Sequence, residues 1–361
     1  MPWFVKPGKS LPSMITHIAC LDMDCFFVSV ERLLNPKLLH KPLIIGAKPS
    51  HRGVVSACSY EARKCGVTSG MSSAQAYQLC PLGIFMSPRI SVYKSYSRSV
   101  YRYLSYYLPI VEQASIDEFY LDLTGCDNLF GNIGNFLWQL KCNMTKDIGI
   151  PCSVGMGTNK SVAKIACKLA KQEGMVRVLP GEEDSFLNPF PVSLIPGVGP
   201  IMNKKLKDQS ISYISDIQSK SMAELTRLFG KLGTSLFLKA RGVGSSNCQK
   251  KRIQKCMSHD ITFAADLDNI QVLKKSLLTI SSGVCKRLRE KGKKCSLVIL
   301  KVRFSDFKTI TKQRMITPTD ADRDVYHAAL ILFRLIFQRH RKVRLLGISL
   351  GGLNDDDLLM P

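Results

Sequence analysis

The sequence predicts an α+β protein that is built from several domains. Its 361 residues are too many for one compact core and correspond to about two to four domains. Apolar runs typical of buried strands alternate with amphipathic helical patterns over residues 15–171 and again over 256–350. Two of these apolar runs carry pairs of carboxylates, which a buried strand tolerates only when something neutralises them.

The amino-terminal half supports this prediction element by element. A strand over 15–25 ends at an acidic pair, and the helix that follows over 26–40 has apolar residues at helical spacing until Pro36 ends or bends it. The other elements predicted up to residue 171 are the strands 43–46, 53–56 and 152–157, two strands around Asp117, and the helices 59–66, 72–80, 91–108, 132–148 and 159–171.

The carboxy-terminal half changes character after residue 174. Residues 179–243 predict several short helices, and the polar, basic stretch 244–255 lacks periodicity and is interpreted as an interdomain linker. Residues 256–350 alternate strand and helix again, an order that fits a sheet with two helices on one face. The basic residues of the linker are candidate DNA contacts: Lys250, Lys251 and Arg252.

Charge points to a polyanionic partner. The formal net charge is +23, and residues 250–350 hold 23 Lys and Arg against 8 Asp and Glu. A surface that serves only solubility mixes both signs, so nucleic acid is the favoured partner. The 13 cysteines are odd in number and have no CxxC spacing, so neither a zinc knuckle nor a disulfide framework is indicated, and a reduced, intracellular chain is favoured. With no signal peptide and no apolar run of membrane length, a soluble protein is expected.

The acidic residues form the first candidate site. Asp22 and Asp24 close one apolar run, and Asp117 and Glu118 lie inside another, so the two runs could meet around Mg²⁺ ions, which prefer hard oxygen ligands. Strict alternation would place Asp117 and Glu118 on opposite faces, so the chain must bend there or one ligand must approach obliquely. Asp24 shares a face with Asp22 and could be a fourth ligand, or one acid of each pair could serve a turn. Asp122 is interpreted as a turn residue.

A second candidate site lies on the predicted helix 59–66. Tyr60, Arg63 and Lys64 follow one another at i, i+3 and i+4 and therefore share a face. An aromatic ring and two cations on one face suit a triphosphate. An ordinary exposed basic helix explains the same spacing equally well.

A third candidate site is a glycine loop before a helix. Gly197 and Gly199 precede a helical stretch that carries Lys204 and Lys205, the pattern of a helix-hairpin-helix that grips a DNA phosphate through backbone N–H groups. A weaker copy occurs at 229–233, where an ordinary turn is the favoured interpretation.

Four motifs, in this order along the chain, resemble the Y-family translesion DNA polymerases and are most similar to their bacterial DNA polymerase IV branch. The similarity runs from about residue 15 to about residue 350, and four motifs in register are more specific than any one of them. They are Leu21-Asp22-Met23-Asp24-Cys25-Phe26-Phe27-Val28-Ser29-Val30-Glu31, Tyr60-Glu61-Ala62-Arg63-Lys64-Cys65-Gly66-Val67, Ser115-Ile116-Asp117-Glu118-Phe119-Tyr120-Leu121-Asp122 and Gly155-Met156-Gly157-Thr158-Asn159-Lys160.

The resemblance implies a right-hand polymerase that acts on primer–template DNA and a dNTP. Its parts would be a palm with a ferredoxin-like sheet, small fingers, a helical thumb and an α/β little-finger domain. Transferred to this sequence, they are the palm at 1–25 and 91–178, the fingers at 26–90, the helix-hairpin-helix thumb at 179–243, the linker at 244–255, the little finger at 256–350 and a tail at 351–361.

The resemblance also implies residue roles. Asp22 and Asp117 would bind two Mg²⁺ ions with help from the Met23 carbonyl. Glu118 would coordinate the ion at which the primer 3′-hydroxyl is activated, so these three acids are the implied catalytic residues. Phe27 would be the steric gate that clashes with a ribonucleotide 2′-hydroxyl. The implied contacts to the incoming nucleotide are Phe26, Phe27, Tyr60, Arg63, Lys64 and Lys171.

Two departures from the family pattern stand out. Lys171 is followed by Gln172-Glu173-Gly174, where family members often have Pro and then Asn or Asp before the glycine. The carboxy terminus does not match the short peptide with which bacterial members bind the sliding clamp, so the clamp stays an open partner. A monomer that acts in the cytoplasm at the nucleoid is expected.

The predicted activity is Mg²⁺-dependent, DNA-templated addition of dNTPs to a primer 3′-hydroxyl. Fingers of about 60 residues would bury little of the nascent pair, so low fidelity and bypass of damaged bases are expected, without a proofreading exonuclease. Two alternatives are weighed against this. A nucleotide cyclase shares the acids but needs neither the basic block nor the hairpin, and a non-catalytic DNA-binding scaffold has no need of the full acid set.

Overall fold

The structure, a computed structural model, describes residues 16–248, 254–337 and 341–355. The predicted DNA contacts at Lys250, Lys251 and Arg252 lie outside the described residues, as does most of the predicted tail. The chain divides into two compact units. The first covers the chain up to Ala47, then Val54–Met71, and then the chain from Gln75 to the end of the described segment at 248; the second takes Lys48–Gly53, Ser72–Ala74 and the described residues from 254 onward.

The predicted strands and helices of the amino-terminal half are confirmed. The helix after the first strand stops early, because Asn35 adopts an extended conformation before Pro36 and a 3-10 turn follows at Pro36–Leu38. The elements up to residue 171 are, in chain order, β1 (Ile18–Met23), α1 (Phe26–Leu34), β2 (Leu43–Gly46), β3 (Val55–Cys58), α2 (Tyr60–Lys64), α3 (Ser73–Leu79), β4 (Ile84–Met86), α4 (Ile90–Tyr107), β5 (Val111–Gln113), β6 (Glu118–Asp122), α5 (Asp127–Phe130), α6 (Ile133–Ile148), β7 (Cys152–Gly157) and α7 (Lys160–Leu169).

The rest of the chain follows the predicted change of character. Short helices come first and a strand–helix alternation comes last. The elements are β8 (Met175–Arg177), α8 (Glu183–Leu187), a 3-10 turn (Val192–Leu194), α9 (Pro200–Lys207), α10 (Ile214–Gln218), α11 (Met222–Phe229), α12 (Lys231–Ala240), β9 (Met257–Leu267), α13 (Ile270–Arg289), β10 (Lys293–Phe304), β11 (Thr309–Thr319), α14 (Asp322–Ile336) and β12 (Val343–Asp355).

A five-stranded sheet in the order β5-β6-β1-β7-β8 is the framework of the first unit. β1 is its central strand and pairs antiparallel with both β6 and β7. Both faces of β1 are covered: Ala19 and Leu21 pack into the large core, whereas Ile18 and Cys20 face α7. Because side chains alternate along a strand, Asp22 lies on the same face as Cys20, the face that α7 covers.

The second unit confirms the sheet with two helices that the sequence predicts. Its four strands are antiparallel in the order β11-β10-β12-β9. Alternate residues of β10 are buried, such as Val298 and Leu300, and they pack with apolar residues of α13 and α14. The opposite face of β10 is more accessible, as expected when only one face of a sheet is covered.

All 13 cysteines of the chain are unpaired thiols. Cys20, Cys58 and Cys167 are buried, the small-core role expected for them. Among the described residues, none of the helices has the length and apolar character needed to cross a bilayer.

Gly155 lets α7 approach the sheet closely. A Cβ built at this position of β7 would lie 2.0 Å from the Cys167 nitrogen and 2.2 Å from the Ala163 oxygen, both backbone atoms of α7. Backbone atoms cannot move aside as a flexible side chain can, so only glycine fits here. The close packing places the side chains of α7 over the face of the sheet that carries Asp22.

We expect Gly155→Ala to lower the free energy of unfolding by about 3 kcal/mol or more, because the added methyl group has no space. Urea unfolding measures this. The control is Gly199→Ala, where a Cβ meets nothing within 4 Å and φ is −89°, so the change should stay within about 1 kcal/mol. Equal stability of the two variants would contradict the close approach of α7 to β7.

Candidate active site

The acidic residues converge from two neighbouring strands. Asp22 in β1 and Glu118 in β6 are directly opposite each other in the antiparallel pairing, so their side chains lie on the same face. Asp117 precedes β6 in a bend, where its backbone oxygen accepts a hydrogen bond from the Met23 N–H at 3.0 Å. The Ser115 hydroxyl stabilises this bend by accepting from the Asp117 and Glu118 N–H groups at 3.2 and 3.0 Å. The chain therefore bends before Glu118, which answers the question that strand alternation left open.

One cavity of about 280 Å³ gathers most of the predicted nucleotide and metal residues. It brings acids of the sheet, aromatic residues of α1 and the tyrosine and arginine of α2 to a common space. The lining residues are Asp22, Met23, Cys25, Phe26, Phe27, Ser56, Ala57, Tyr60, Arg63, Ser69, Asp117 and Lys171.

Two residues for which the resemblance implies a metal or nucleotide role do not line this cavity. Glu118 is only 9% exposed and faces α7, where Lys164 forms an ion pair with it. Lys64 is exposed at the end of α2. Four lining residues were missed by sequence reasoning. Cys25 could have been found because it stands inside the first motif, but Ser56, Ala57 and Ser69 carry no chemical signal in the sequence.

Lysine ammonium groups neutralise the acids. The Lys171 Nζ lies 2.5 Å from an Asp22 oxygen and 2.9 Å from an Asp24 oxygen, and Lys164 pairs with Glu118. Burial raises the pKa of Asp22; Lys171 lowers it, and the negative charges of Asp117 and Glu118 raise it further. Burial would lower the pKa of Lys171, but Asp22 and Asp24 hold it above its ordinary value. The three predicted catalytic acids are thus electrostatically coupled.

The donor set suits a hard divalent cation. Carboxylates and a backbone carbonyl are the oxygen ligands that Mg²⁺ prefers, and Asp22, Asp117 and the Met23 carbonyl border the same cavity. Within residues 16–248, 254–337 and 341–355, however, no three Asp, Glu, His or Cys side chains lie together in an arrangement that could hold a metal ion. Instead, Lys164 pairs with Glu118 and Lys171 pairs with Asp22, so a lysine compensates the negative charge of each acid.

Asp24 is a hydrogen-bond acceptor inside the fold and not part of the cavity wall. It is 2% exposed and accepts from the Ser153 hydroxyl at 2.7 Å, the Glu173 N–H at 2.9 Å and the Tyr60 hydroxyl at 3.3 Å. With its oxygens occupied, Asp24 serves a structural role, which disfavours it as a fourth ligand. These bonds also anchor the loop after Lys171, in which Glu173 has a φ of 60°.

Asp122 closes β6 and accepts from the Thr124 N–H at 3.0 Å, the turn role predicted for it. It pairs with Ile18, at the opposite end of β1 from Asp22, and it does not line the cavity.

Aromatic residues define one wall of the cavity. The ring of Phe27 stacks on Tyr93 with centroids 4.2 Å apart and planes 18° apart, and Phe26 is almost fully buried beside it. On the α2 side, the Arg63 guanidinium lies 5.0 Å from the centroid of the Tyr60 ring. Burial and the charge of Asp24 raise the pKa of Tyr60, so its hydroxyl stays a donor at neutral pH.

The predicted hairpin loop lies directly before α9. Gly197 has a φ of 100°, a conformation that favours glycine, and Gly199 caps the helix that carries the exposed Lys204 and Lys205. The loop is tied to α12, because the Lys239 Nζ donates to the Pro196 carbonyl at 2.7 Å. At the weaker copy, Gly230 alone joins α11 to α12.

Models of known protein families match three parts of the chain. Residues 21–168 match the impB/mucB/samB family, and residues 254–358 match the C-terminal domain of that family. Residues 193–244 match the thumb domain described for DNA polymerase-iota.

Curated relatives match along almost the whole chain. A DNA polymerase IV of Dehalococcoides mccartyi is 36% identical over 339 residues, which cover 93% of this chain and 87% of the relative. A DNA polymerase IV of Clostridium perfringens is 35% identical over 343 residues, which cover 95% of each chain.

Solved structures match at 26% identity. A Y-family DNA polymerase chimera aligns with a TM-score of 0.83 over 94% of this chain and 99% of that chain. The insertion ternary complex of Dbh DNA polymerase aligns with a TM-score of 0.64 over 94% of this chain and 99% of that chain.

We expect Asp24 and Asp22 to differ in their contributions to stability. Asp24→Asn should lower the free energy of unfolding by about 1.5–3 kcal/mol, the range for hydrogen bonds to a charged group, because the new amide would face donors. Asp22→Asn should lower it by less than about 1 kcal/mol, because burial already disfavours the ionised form of Asp22.

The pH dependence of Asp22 has a defined sign. Its pKa is raised in the folded state, so its contribution to stability is full below the unfolded pKa and is lost as pH rises through the folded pKa. Urea unfolding with a chelator, from about pH 4 to about pH 7, should show Asp22→Asn gaining stability relative to the parent. If Asp22→Asn lowered the free energy of unfolding as much as Asp24→Asn does, the roles assigned to the two acids would be contradicted.

Proposed function

This chain belongs to the Y family of DNA polymerases, and from that premise we propose the residue roles by which it acts. It is a DNA-directed DNA polymerase of the translesion type, with the right-hand polymerase fold class. The observation that carries the proposal is the single cavity that holds Asp22 and Asp117 together with Phe27, Tyr60 and Lys171. Acids, a gate for the sugar and partners for a triphosphate are the parts that nucleotide addition requires.

The reaction joins a primer to a dNTP. The primer 3′-oxygen forms a bond to the α-phosphorus while the bond to the bridging oxygen breaks, so pyrophosphate leaves and the 3′-hydroxyl loses its proton. Catalysis of such a transfer consists mainly of positioning and charge stabilisation. The residues of this cavity supply both.

The family depends on divalent metal ions, and we propose two Mg²⁺ ions here. Asp22, Asp117 and the Met23 carbonyl would hold them on the cavity side, and Glu118 would complete the set at the primer end. Two such ions supply charge neutralisation for the attacking and the leaving oxygens. Glu118 is held on the shared face by the β1–β6 pairing and by its ion pair with Lys164, so it stays close to Asp22.

Nucleotide binding is assigned to α1, α2 and Lys171. Tyr60, Arg63 and Lys171 offer a hydroxyl donor and two cations to the triphosphate, while Phe27, with Phe26 behind it, faces the sugar. Lys171 can exchange its carboxylate partners for phosphate oxygens without leaving the cavity wall. Lys64, exposed at the end of α2, is the weaker phosphate contact.

DNA binding is assigned to the hairpin and to the basic linker. Gly197 and Gly199 present backbone N–H groups, and Lys204 and Lys205 add charge beside them. The linker residues Lys250, Lys251 and Arg252 would contact the DNA backbone. The small fingers favour low fidelity and bypass of damaged bases, with no proofreading exonuclease.

The wider proposals concern organisation and location. We propose the palm at 1–25 and 91–178, the fingers at 26–90, the thumb at 179–243 and the little finger at 256–350, and the model matches at 193–244 and 254–358 support the last two. The protein would act as a monomer on primer–template DNA in the cytoplasm, at the nucleoid. A sliding clamp stays an open partner.

The two alternatives explain less of the chain. A nucleotide cyclase has no need of the thumb and C-terminal domains that the family models match. A non-catalytic DNA-binding scaffold has no need of Asp22, Asp117 and Glu118 on adjacent positions of one site. Extension of a labelled primer, as opposed to a cyclic product from free nucleotide, separates the first alternative from a polymerase.

The function is tested by extension of a labelled primer with Mg²⁺ and one dNTP at a time. Extension should follow the template base, and Glu118→Ala should reduce it by about a thousandfold or more, because several kcal/mol of charge stabilisation is lost. Binding of primer–template DNA, measured by fluorescence anisotropy, should stay at the parent level. The control is Glu112→Gln in the neighbouring strand β5, which should extend the primer as the parent does. Unchanged extension by Glu118→Ala would refute the site.

The steric gate is tested by Phe27→Ala. The ratio of kcat/KM for a dNTP to that for the matching ribonucleotide should fall by about a hundredfold, because space opens for the 2′-hydroxyl. Single-nucleotide incorporation measures the ratio. Phe130→Ala is the matched control, because it removes a ring that stacks on Phe136 at 3.8 Å outside the cavity. A Phe27→Ala variant as selective as the parent would remove Phe27 from this role.

A further inference from the structure

A buried carboxylate lies next to the gate and has no part in the chemistry proposed above. Glu31 belongs to α1 and its side chain is 0% exposed. An ionised group in such a position is stable only when it is paired and hydrogen-bonded. The residues that pair with the Glu31 carboxylate therefore indicate its role.

Two residues of the α4 region satisfy Glu31. The Arg89 guanidinium approaches both oxygens: its Nε donates to Oε1 at 2.9 Å and its Nη2 to Oε2. The Tyr93 hydroxyl donates to Oε1 at 2.6 Å. A bidentate arginine fixes the plane of a carboxylate, so the acceptor for the tyrosine hydroxyl has a defined position.

The same tyrosine ring supports the gate. Tyr93 is 0% exposed, and its ring stacks on Phe27 at 4.2 Å and meets the edge of Phe26 at 6.4 Å. Phe27 and Glu31 are four residues apart on α1 and share a helix face. The ring of Tyr93 therefore contacts Phe27 while its hydroxyl contacts Glu31. Stacking restrains the distance between two rings but leaves sliding free, whereas a hydrogen bond has a direction.

We propose that Glu31, held by Arg89, is a positioning residue that sets the sugar selectivity of this polymerase by fixing the Tyr93 ring against which Phe27 rests. The inference deepens the proposed function, because it rests on Phe27 as the gate. The carboxylate anchors the hydroxyl, the ring sets how far Phe27 extends into the cavity, and that depth decides whether a 2′-hydroxyl fits. Burial and the bond to Glu31 raise the pKa of Tyr93 to about 12, so its hydroxyl donates at neutral pH.

Tyr93→Phe is the variant that tests this, because it removes only the hydroxyl and leaves the stacked ring. We expect the dNTP-to-ribonucleotide ratio of kcat/KM to fall about tenfold, while kcat/KM for the dNTP stays within about threefold of the parent. A loss of folded enzyme lowers the apparent kcat/KM for both substrates equally and so leaves their ratio unchanged. Tyr103→Phe is the matched control: it lies on the same helix, and its hydroxyl donates to Asp147 at 3.1 Å away from the gate.

A double-mutant cycle shows whether Tyr93 acts through Phe27. In the Phe27→Ala background, adding Tyr93→Phe should leave the ratio unchanged, because the ring no longer has a gate to position. Glu31→Gln, which removes the charge that orients Arg89, should lower the ratio in the same direction as Tyr93→Phe. A parent-like ratio for Tyr93→Phe, or additive effects in the cycle, would overturn the inference while leaving the gate intact. A parent-like ratio for Phe27→Ala would instead refute the gate itself.

Discussion

Buried carboxylates must be compensated, and that constraint organises the first unit of this protein. Asp24, Glu118 and Glu31 are buried, and Asp22 of β1 is half-buried beside them. Removing one member of such a buried pair leaves an uncompensated charge, which is far more costly than the net value of the pair. Each acid therefore requires a basic or hydrogen-bonding partner from another part of the chain, and those partners dictate which elements must come together.

The helix α7 and the loop after it provide the partners for the acids at this end of the sheet. Lys164 reaches Glu118, and Lys171 reaches both Asp22 and Asp24. This reach depends on the close approach at Gly155, where a side chain would collide with the backbone of α7. The arrangement connects a packing detail with the candidate site, because Lys171, which pairs with Asp22 and Asp24, also lines the cavity that we assign to the nucleotide.

The buried Glu31 of α1 is compensated in the same way. Arg89 and Tyr93 compensate Glu31, and in doing so they place an aromatic ring behind Phe27. Stability and selectivity thus share one network, because a ring that is anchored by a buried charge cannot adapt its position to a larger sugar. Phe26 and Tyr93 belong to the large core of the first unit and Phe27 packs against it, so the residue proposed as the gate has a rigid support.

The sequence by itself determined the elements and the chemical types. Apolar periodicity placed the strands β1, β2 and β7 and the helices α4, α6 and α7 within a few residues, because burial of one face imposes a period on the chain. The acids and the hairpin glycines were recognisable because each is unusual in its local pattern, whereas the roles of Phe26 and Phe27 came from the resemblance to the Y family. Only the tertiary structure decided the bend before Glu118, the pairing of Lys164 with Glu118, the inward role of Asp24 and the support of Phe27 by Tyr93. These contacts join residues that are far apart in the chain, and no local pattern records which distant charge or ring a buried group will meet.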